Sequence, residues 1–74
     1  MIKTDNKNVK VMRKLEEIEE LCDIFALDFD NSHPNHYKIV ASGVVLGEFT
    51  TYNDVISALQ ILYFFTYGNE WKKG

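Results

Sequence analysis

Residues 36–68 read HYKIVASGVVLGEFTTYNDVISALQILYFFTYG, and they contain the strongest structural signals in the chain. The segments 36–41 and 44–49 are rich in β-branched and aromatic residues, which is typical of strands. Between them lie Ser42 and Gly43, and glycine can supply the positive φ that a tight hairpin turn requires. The sequence therefore predicts a β-hairpin at the centre of the chain.

A helix is predicted directly after the hairpin. Thr51 followed three residues later by Asp54 matches a capping box, in which the threonine oxygen accepts a backbone N–H and the acid lies at the positive helix end. The helix should run from Tyr52 to about Tyr67. It should end at Gly68, which can take the left-handed conformation.

A first helix is predicted upstream of the hairpin, because apolar residues recur there at spacings of three and four. These residues are Val11, Leu15, Ile18, Cys22 and Phe25. The helix is expected to end between Ile24 and Leu27. The alternation over 25–30 allows a short strand, and the turn-forming residues of 31–35 predict a loop.

Together these elements predict an α+β fold: a helix, a two- or three-stranded antiparallel sheet with a central hairpin, and a helix, with the helices on one face of the sheet. The 74 residues are expected to form a single domain, 1–74, with the polar ends 1–7 and 69–74 flexible. One cysteine and no recognisable signal peptide favour a cytoplasmic protein. The apolar segment Val55–Tyr67 is shorter than the roughly 20 residues that span a bilayer, so no membrane association is expected.

The second helix is apolar on nearly all sides, and its polar residues Asn53, Ser57 and Gln60 form only a narrow strip. The sheet can cover one side of such a helix, so another surface must cover a second side. We therefore expect a homodimer through this helix. The predicted interface residues are Ile56, Leu59, Tyr63 and Tyr67.

The middle of the chain is strongly acidic. Between Leu15 and Glu70 there are ten carboxylates and one cation, Lys38, although the net charge of the whole chain is only −3. An acidic field repels nucleic acid and attracts basic protein surfaces, so direct nucleic-acid binding is not expected. The alternative is a solvated face that only keeps a small protein soluble. Five of the acids fall on the first helix: Glu16, Glu17, Glu19, Glu20 and Asp23.

The sequence contains no recognised motif for catalysis, a cofactor or a metal. The apolar periodicity places the Cys22 thiol in the interior, where an activated thiolate is disfavoured. His33 and His36 lack the paired Cys or His pattern of a structural zinc site and are interpreted as polar loop residues. We therefore expect neither an enzyme nor a metal or cofactor site.

The order helix, three strands, helix resembles the double-stranded-RNA-binding domains, which are similar in length. That family contacts RNA phosphates with lysines at the start of its last helix. This chain has Thr51, Tyr52, Asn53 and Asp54 there. The resemblance is therefore one of element order, without the charges that RNA binding requires.

A short, acidic, aromatic-rich domain without catalytic motifs resembles the early proteins with which bacteriophages disable host replication, transcription or defence. Residues 60–64, QILYF, are similar to the bacterial clamp-binding pentapeptide, which has glutamine first, leucine second and fourth, and phenylalanine last. Gln60 and Phe64 match it, whereas Tyr63 departs from leucine, and that peptide binds in an extended form. The resemblance to these phage proteins implies an inhibitor of the sliding clamp that acts as a dimer in the clamp's DNA channel.

The leading hypothesis is thus a non-enzymatic, phage-type inhibitor whose acidic face blocks the DNA-accepting surface of a host protein, with the bacterial sliding clamp as the best candidate. Its aromatic residues would supply desolvated anchors. The alternatives are a small structural subunit or adaptor that packs through the second helix, and an anti-defence protein directed at a nuclease. The candidate partner-binding residues are Glu16, Glu17, Glu19, Glu20, Asp23, Gln60, Phe64 and Trp71.

Overall fold

Five elements make up residues 3–72, the part of the chain that the structure, a computed structural model, describes; side chains are described from residue 11 onward. The predicted α+β order is confirmed. α1 begins inside the segment 1–7 that was predicted to be flexible, whereas residues 1, 2, 73 and 74 lie outside the described part. The elements are α1 (Lys3–Ile24), β1 (Asp28–His33), β2 (His36–Ala41), β3 (Val44–Phe49) and α2 (Tyr52–Tyr67).

The three strands form one antiparallel sheet in the order β1-β2-β3. Phe29 of β1 lies opposite Ile39 of β2, which lies opposite Gly47 of β3. Ile39 is buried, and because side chains alternate between the faces of a sheet, this row marks the face that the helices cover. α1 packs against β1 and α2, and α2 also packs against β2 and β3.

The predicted hairpin and second helix are confirmed at both of their ends. Ser42 and Gly43 have φ of 50° and 81°, the two positive values that a two-residue hairpin turn requires. The Thr51 hydroxyl accepts the Asp54 N–H at 3.1 Å at the start of α2. Gly68 ends the helix with φ of 78°, and its N–H donates to the Phe64 carbonyl at 2.8 Å.

The segment between the first helix and the hairpin differs from the prediction. β1 starts at Asp28, later than the alternation over 25–30 indicated, and it continues through the residues expected to form a loop. The turn before β2 contains only Pro34 and Asn35, and Asn35 supplies a positive φ of 58°. The strand therefore takes in most of the polar segment 31–35, and these polar side chains are exposed.

The reason for this shift is the way α1 ends. Ala26 lies in the left-handed region with φ of 55°. The Leu27 N–H donates to the Cys22 carbonyl at 2.8 Å, and the Ala26 N–H donates to the Asp23 carbonyl at 3.2 Å. This pair of bonds is a Schellman motif, here with alanine at the position that favours glycine. It reverses the chain direction, so that β1 returns alongside α1.

The core is small, and α1 contributes half of it. Leu21 belongs to the core although it lay outside the predicted stripe, and Val11 from that stripe is 39% exposed. The buried part of α1 is therefore its C-terminal half, where the sheet and α2 meet it. Six residues are at most 4% exposed: Ile18, Leu21, Cys22, Ile39, Val55 and Leu59.

Candidate functional site

An open groove of about 730 Å³ lies between α1 and the start of β1, and we call it the acidic groove. Among the described residues, no lysine or arginine lines this groove. Besides five acids, its lining residues are Leu15, Cys22, Leu27, Phe29 and Asn31. Four of its carboxylates belong to α1 and one to β1, and all five residues are exposed: Glu16, Glu19, Glu20, Asp23 and Asp28.

Two features of the chain bring these acids together. Positions 16, 19, 20 and 23 follow the three- and four-residue spacing of one helix face. The Schellman turn then returns the chain beside α1 and adds Asp28, which sequence reasoning did not place on the acidic face. Like-charge pairs at i and i+4, such as Glu19 with Asp23, destabilise a helix by about 0.2–0.5 kcal/mol each. The groove therefore concentrates negative charge at some expense to α1.

The Cys22 thiol contributes to the wall of the acidic groove and is 4% exposed. Burial, together with the charges of Asp28 and Glu19, raises the pKa of this thiol to about 11. A thiol with such a pKa is protonated at neutral pH and is a poor nucleophile. Cys22 therefore acts here as an apolar wall residue.

Glu17, the fifth predicted acid of α1, lies away from the acidic groove. Its Oε2 accepts a hydrogen bond from Gln60 Nε2 of α2 at 2.8 Å, in a partly buried position. Glu17 and Gln60 were both predicted to bind a partner. In the structure they join the two helices, and the remaining four acids of α1 line the groove.

A second groove, of about 780 Å³, lies along α2, and we call it the α2 groove. It brings together Gln60, Phe64 and Trp71, the three predicted partner-binding residues outside the acidic helix. Segment 60–64 is helical throughout, so it does not have the extended form in which the clamp-binding pentapeptide binds. The other lining residues are Ser57, Ile61, Phe65 and Glu70.

Trp71 packs back on the domain even though it lies beyond the end of α2. Its ring centroid is 5.4 Å from that of Tyr63 in an edge-on arrangement. The indole N–H is buried and has no hydrogen-bond acceptor among the described residues. A buried donor without an acceptor destabilises a fold by about 1–3 kcal/mol. The packing contacts of the Trp71 ring must offset this unfavourable free energy.

The structure corrects one residue of the predicted dimer interface, Leu59. Leu59 is 2% exposed within the single chain, so it has almost no surface left for a second copy. Ile56 and Tyr63 are partly buried against the core, whereas Tyr67, whose ring centroid is 6.1 Å from that of Phe25, is still 52% exposed. The exposed large apolar residues of α2 are Tyr67 and four residues outside the predicted set: Ile61, Leu62, Phe64 and Phe65.

The open face of the sheet carries a row of charges that sequence reasoning missed. Lys38 lies opposite Asp30 on one side and Glu48 on the other. His36 Nε2 lies 2.7 Å from Glu48 Oε1, and this hydrogen bond lowers the pKa of the Glu48 carboxyl. Hydrogen bonds from Ser32 lower the pKa of Asp30. The alternation along the three strands was the signal that could have identified this row.

Among the described residues, no three His, Cys, Asp or Glu side chains are grouped so that they could hold a metal ion. No helix in that part of the chain is both long and apolar enough to cross a bilayer. The two grooves bring together seven of the eight predicted partner-binding residues. Comparison of the chain with known proteins finds no matching family model, no matching curated protein and no matching solved structure.

Proposed function

We propose that this protein is a non-enzymatic inhibitor of the kind that bacteriophages produce, and that its acidic groove occupies the basic, DNA-accepting surface of a host protein. The bacterial sliding clamp is the best single candidate. The observation that carries the proposal is the acidic groove itself, in which five exposed carboxylates from two elements surround one concave surface.

The chemistry of this groove favours a protein partner over the other ligand classes. Phosphate groups are repelled by a groove that is lined with carboxylates, so nucleic acid is a poor ligand. A basic surface that normally holds DNA presents lysine and arginine at spacings that accept dense negative charge. Complementary charge of this kind speeds encounter and excludes partners of the wrong sign.

The inhibition that follows from this arrangement is steric and electrostatic. The protein covers the basic surface and neutralises it, so that DNA loses both access and attraction. Leu15 and Phe29 also line the groove and add apolar contact once water has been displaced. No covalent step and no cofactor are required.

The test uses two triple variants with the same net charge. Glu19→Gln, Glu20→Gln and Asp23→Asn neutralise the acidic groove, whereas the control variant changes three acids elsewhere. Each removes three negative charges and takes the net charge from −3 to 0. The control substitutions are Asp30→Asn, Glu48→Gln and Glu70→Gln.

Association with purified bacterial sliding clamp, followed by surface plasmon resonance at low and at physiological salt, distinguishes the variants. We expect the groove variant to associate about tenfold more slowly or worse at low salt, and the control to stay within about threefold of the natural chain. Equal losses for both variants would mean that only bulk charge matters. No clamp binding by the natural chain would remove the clamp as the target.

An anti-defence protein directed at a nuclease would use the same groove and the same charges. The assay that separates it from a clamp inhibitor is affinity capture from bacterial lysate with the two triple variants as baits. Proteins that are captured by the control variant and lost by the groove variant are the partners of the acidic groove. Their identity, clamp or nuclease, decides between the two targets.

A second candidate function, a small adaptor that packs on a larger protein, is supported by a different observation. Phe65 of α2 is 79% exposed, which is unusual for an aromatic side chain in a folded domain. In that case the acids only keep the protein soluble. A partner that is retained by the groove variant and lost on Phe65→Glu would favour the adaptor.

A further inference from the structure

We propose that the tip of the β2–β3 hairpin is an apolar anchor, and that it enters an apolar cleft on the same protein whose basic surface the acidic groove covers. The hairpin tip consists of Val44, Val45 and Leu46, the three residues that follow the turn at Ser42 and Gly43. The inference rests on the proposed function, since it takes the partner of the acidic groove as the protein that receives the tip. It adds a second contact of different chemistry.

The hairpin tip is apolar at a place where polar residues are usual. Val44 is 60% exposed, Val45 46% and Leu46 59%. Residues 39–47 contain no Asp, Glu, Lys or Arg, and Lys38 and Glu48 flank this uncharged segment. Single exposed apolar residues are ordinary on protein surfaces, whereas three in succession beside a tight turn indicate an interaction site.

The domain leaves the tip uncovered because its core ends at Gly47. This glycine lies opposite the buried Ile39, and a Cβ on it would lie 3.0 Å from the Phe49 ring. The Phe49 side chain therefore fills the space beside Gly47 and completes that end of the core. Residues 44–46 are all exposed, although neighbouring residues of a strand point to opposite faces. The hairpin thus projects past the core.

A β-bulge shapes the tip. Ile39 pairs with Gly47 and the next residue, Val40, pairs with Val45, so that Leu46 has no partner on β2. A bulge of this kind bends the strand, increases its twist and re-aims a side chain. It also disfavours the pairing of a further strand with the edge of the sheet. The tip is therefore better suited to contact through its side chains than to strand addition.

One row of the sheet links the tip to the acidic groove. Asp28, which lines the groove, lies opposite Val40, and Val40 lies opposite Val45. Neighbouring strands are about 4.8 Å apart, so Asp28 and Val45 are separated by about 10 Å across the sheet. A basic surface that approaches Asp28 therefore also lies close to the hairpin tip.

The arrangement defines the chemistry of the partner. Its lysines and arginines face the acidic groove, and an uncharged, apolar cleft lies about 10 Å away from them. The cleft need only be wide enough for one hairpin, whose two strands are about 4.8 Å apart. Exposed charges mainly set the rate of association, whereas buried apolar contacts mainly set the rate of dissociation. The two contacts therefore have separate kinetic effects.

Surface plasmon resonance on purified bacterial sliding clamp tests the hairpin contact with matched variants. Val44→Thr with Leu46→Gln makes the tip polar, whereas Val44→Ile with Leu46→Met keeps it apolar at similar volume. We expect the polar tip variant to dissociate about tenfold faster at low and at physiological salt, with an association rate within about threefold of the natural chain. The apolar tip variant should stay within about threefold of the natural chain in both rates.

The groove variant Glu19→Gln, Glu20→Gln and Asp23→Asn, measured alongside, separates the hairpin contact from the proposed function. Slower association of the groove variant with no effect of the polar tip variant would overturn the hairpin contact and leave the proposed function standing. Faster dissociation of the polar tip variant beside an unaffected groove variant would overturn the proposed function and support the hairpin contact. No clamp binding by the natural chain would overturn both.

Thiol modification keeps the inference testable if the polar tip variant fails to fold. Leu46→Cys adds a thiol at the tip, and His33→Cys adds one beside the β1–β2 turn, at the opposite end of the sheet. The natural Cys22 is buried and does not compete. Saturating clamp should slow the modification of Leu46→Cys by maleimide about tenfold and that of His33→Cys less than about twofold, as mass spectrometry of the chain measures.

Two results of the thiol experiment would contradict the inference. A Leu46→Cys thiol that reacts equally fast with and without the clamp would show that the tip stays in water. A protected thiol combined with full tolerance of the polar tip variant would show that the clamp pairs with the β3 backbone, because strand addition depends on main-chain hydrogen bonds.

Discussion

The acidic groove and the α2 groove are nearly equal in volume, about 730 Å³ and 780 Å³, but they are built from opposite chemistry. One is lined by five carboxylates, and the other by a single carboxylate beside three large exposed apolar residues. Charge acts over a Debye length of about 8–10 Å, whereas apolar surface acts only on contact. The two surfaces are therefore suited to different tasks, attraction of a basic partner and close packing against an uncharged one.

The grooves also differ in what they do to the stability of the domain. The acids of α1 form like-charge pairs and lie near the negative end of the helix dipole, so the acidic groove weakens the element that carries it. The α2 groove is lined in part by Trp71, which packs on Tyr63 and against the core. Changes in the two grooves should therefore shift the free energy of unfolding in opposite directions.

The largest effect is expected from Trp71→Ala, which removes one wall of the α2 groove. Because the ring is only partly exposed and contacts Tyr63, the free energy of unfolding should fall by about 2–3 kcal/mol, below the range for a fully buried tryptophan. Urea denaturation followed by circular dichroism measures this loss. Trp71→Phe is the matched control: it keeps a ring and deletes the indole N–H that lacks an acceptor, so it should be neutral or slightly stabilising. A Phe variant as unstable as the Ala variant would contradict this prediction.

A smaller effect, of opposite sign, is expected at the turn that forms the acidic groove. Ala26 has φ of 55°, and the left-handed region costs an alanine roughly 1 kcal/mol that a glycine does not incur. Ala26→Gly should therefore raise the free energy of unfolding by about 1 kcal/mol. The same substitution at Ala58, inside α2, should lower it by about the same amount, because glycine weakens a helix interior. Two changes of the same sign would contradict the Schellman geometry at Ala26.

Neutralising the acidic groove should stabilise the domain slightly. Glu19→Gln, Glu20→Gln and Asp23→Asn together remove two like-charge pairs and the opposition to the helix dipole, for a gain of about 0.5–1 kcal/mol. Added salt should stabilise the natural chain and have less effect on this variant. The control triple at Asp30, Glu48 and Glu70 weakens the His36 and Ser32 hydrogen bonds, because an amide oxygen is a weaker acceptor than a carboxylate, and it should not gain stability. A groove variant that is less stable than the natural chain would mean that these acids hold the fold together.

Most of the fold could be predicted because its signals are local. The positive φ at Gly43, the Thr51 cap and the left-handed Gly68 each depend on a few neighbouring residues, and they define the hairpin and α2. The end of α1 could not be predicted, because its left-handed residue is an alanine, Ala26. The left-handed conformation of Ala26 is stabilised only when the Leu27 N–H donates to the Cys22 carbonyl. The start of β1 was displaced for the same reason.

The candidate sites were predictable only in part, since they depend on which side of a helix faces the core. The spacing of acids on α1 identified four residues of the acidic groove, but Asp28 joins them only through the turn, and Glu17 turns toward Gln60. α2 is apolar on nearly every side, so periodicity did not determine which apolar residues are buried. That is why Leu59, which is 2% exposed, was assigned to a dimer surface, whereas Ile61 and Phe65, which are 56% and 79% exposed, were not.

The smallest effect uses Cys22 as a reporter of the field in the acidic groove. Burial is the largest of three causes that together raise the pKa of this thiol from 9.0 to about 11, and the other two are the charges of Asp28 and Glu19. Glu19→Gln with Asp28→Asn should therefore lower the pKa while leaving it above 9.0, and ultraviolet thiolate absorbance during a pH titration measures the midpoint. Asp30→Asn with Glu48→Gln is the control and should leave the midpoint unchanged. Because the raised pKa disfavours the thiolate in the folded state, its contribution to stability is complete below pH 9.0 and is lost as the pH rises toward about 11. An unchanged midpoint in the groove variant would mean that burial alone raises the pKa of Cys22 and that the charges of Glu19 and Asp28 do not contribute to it.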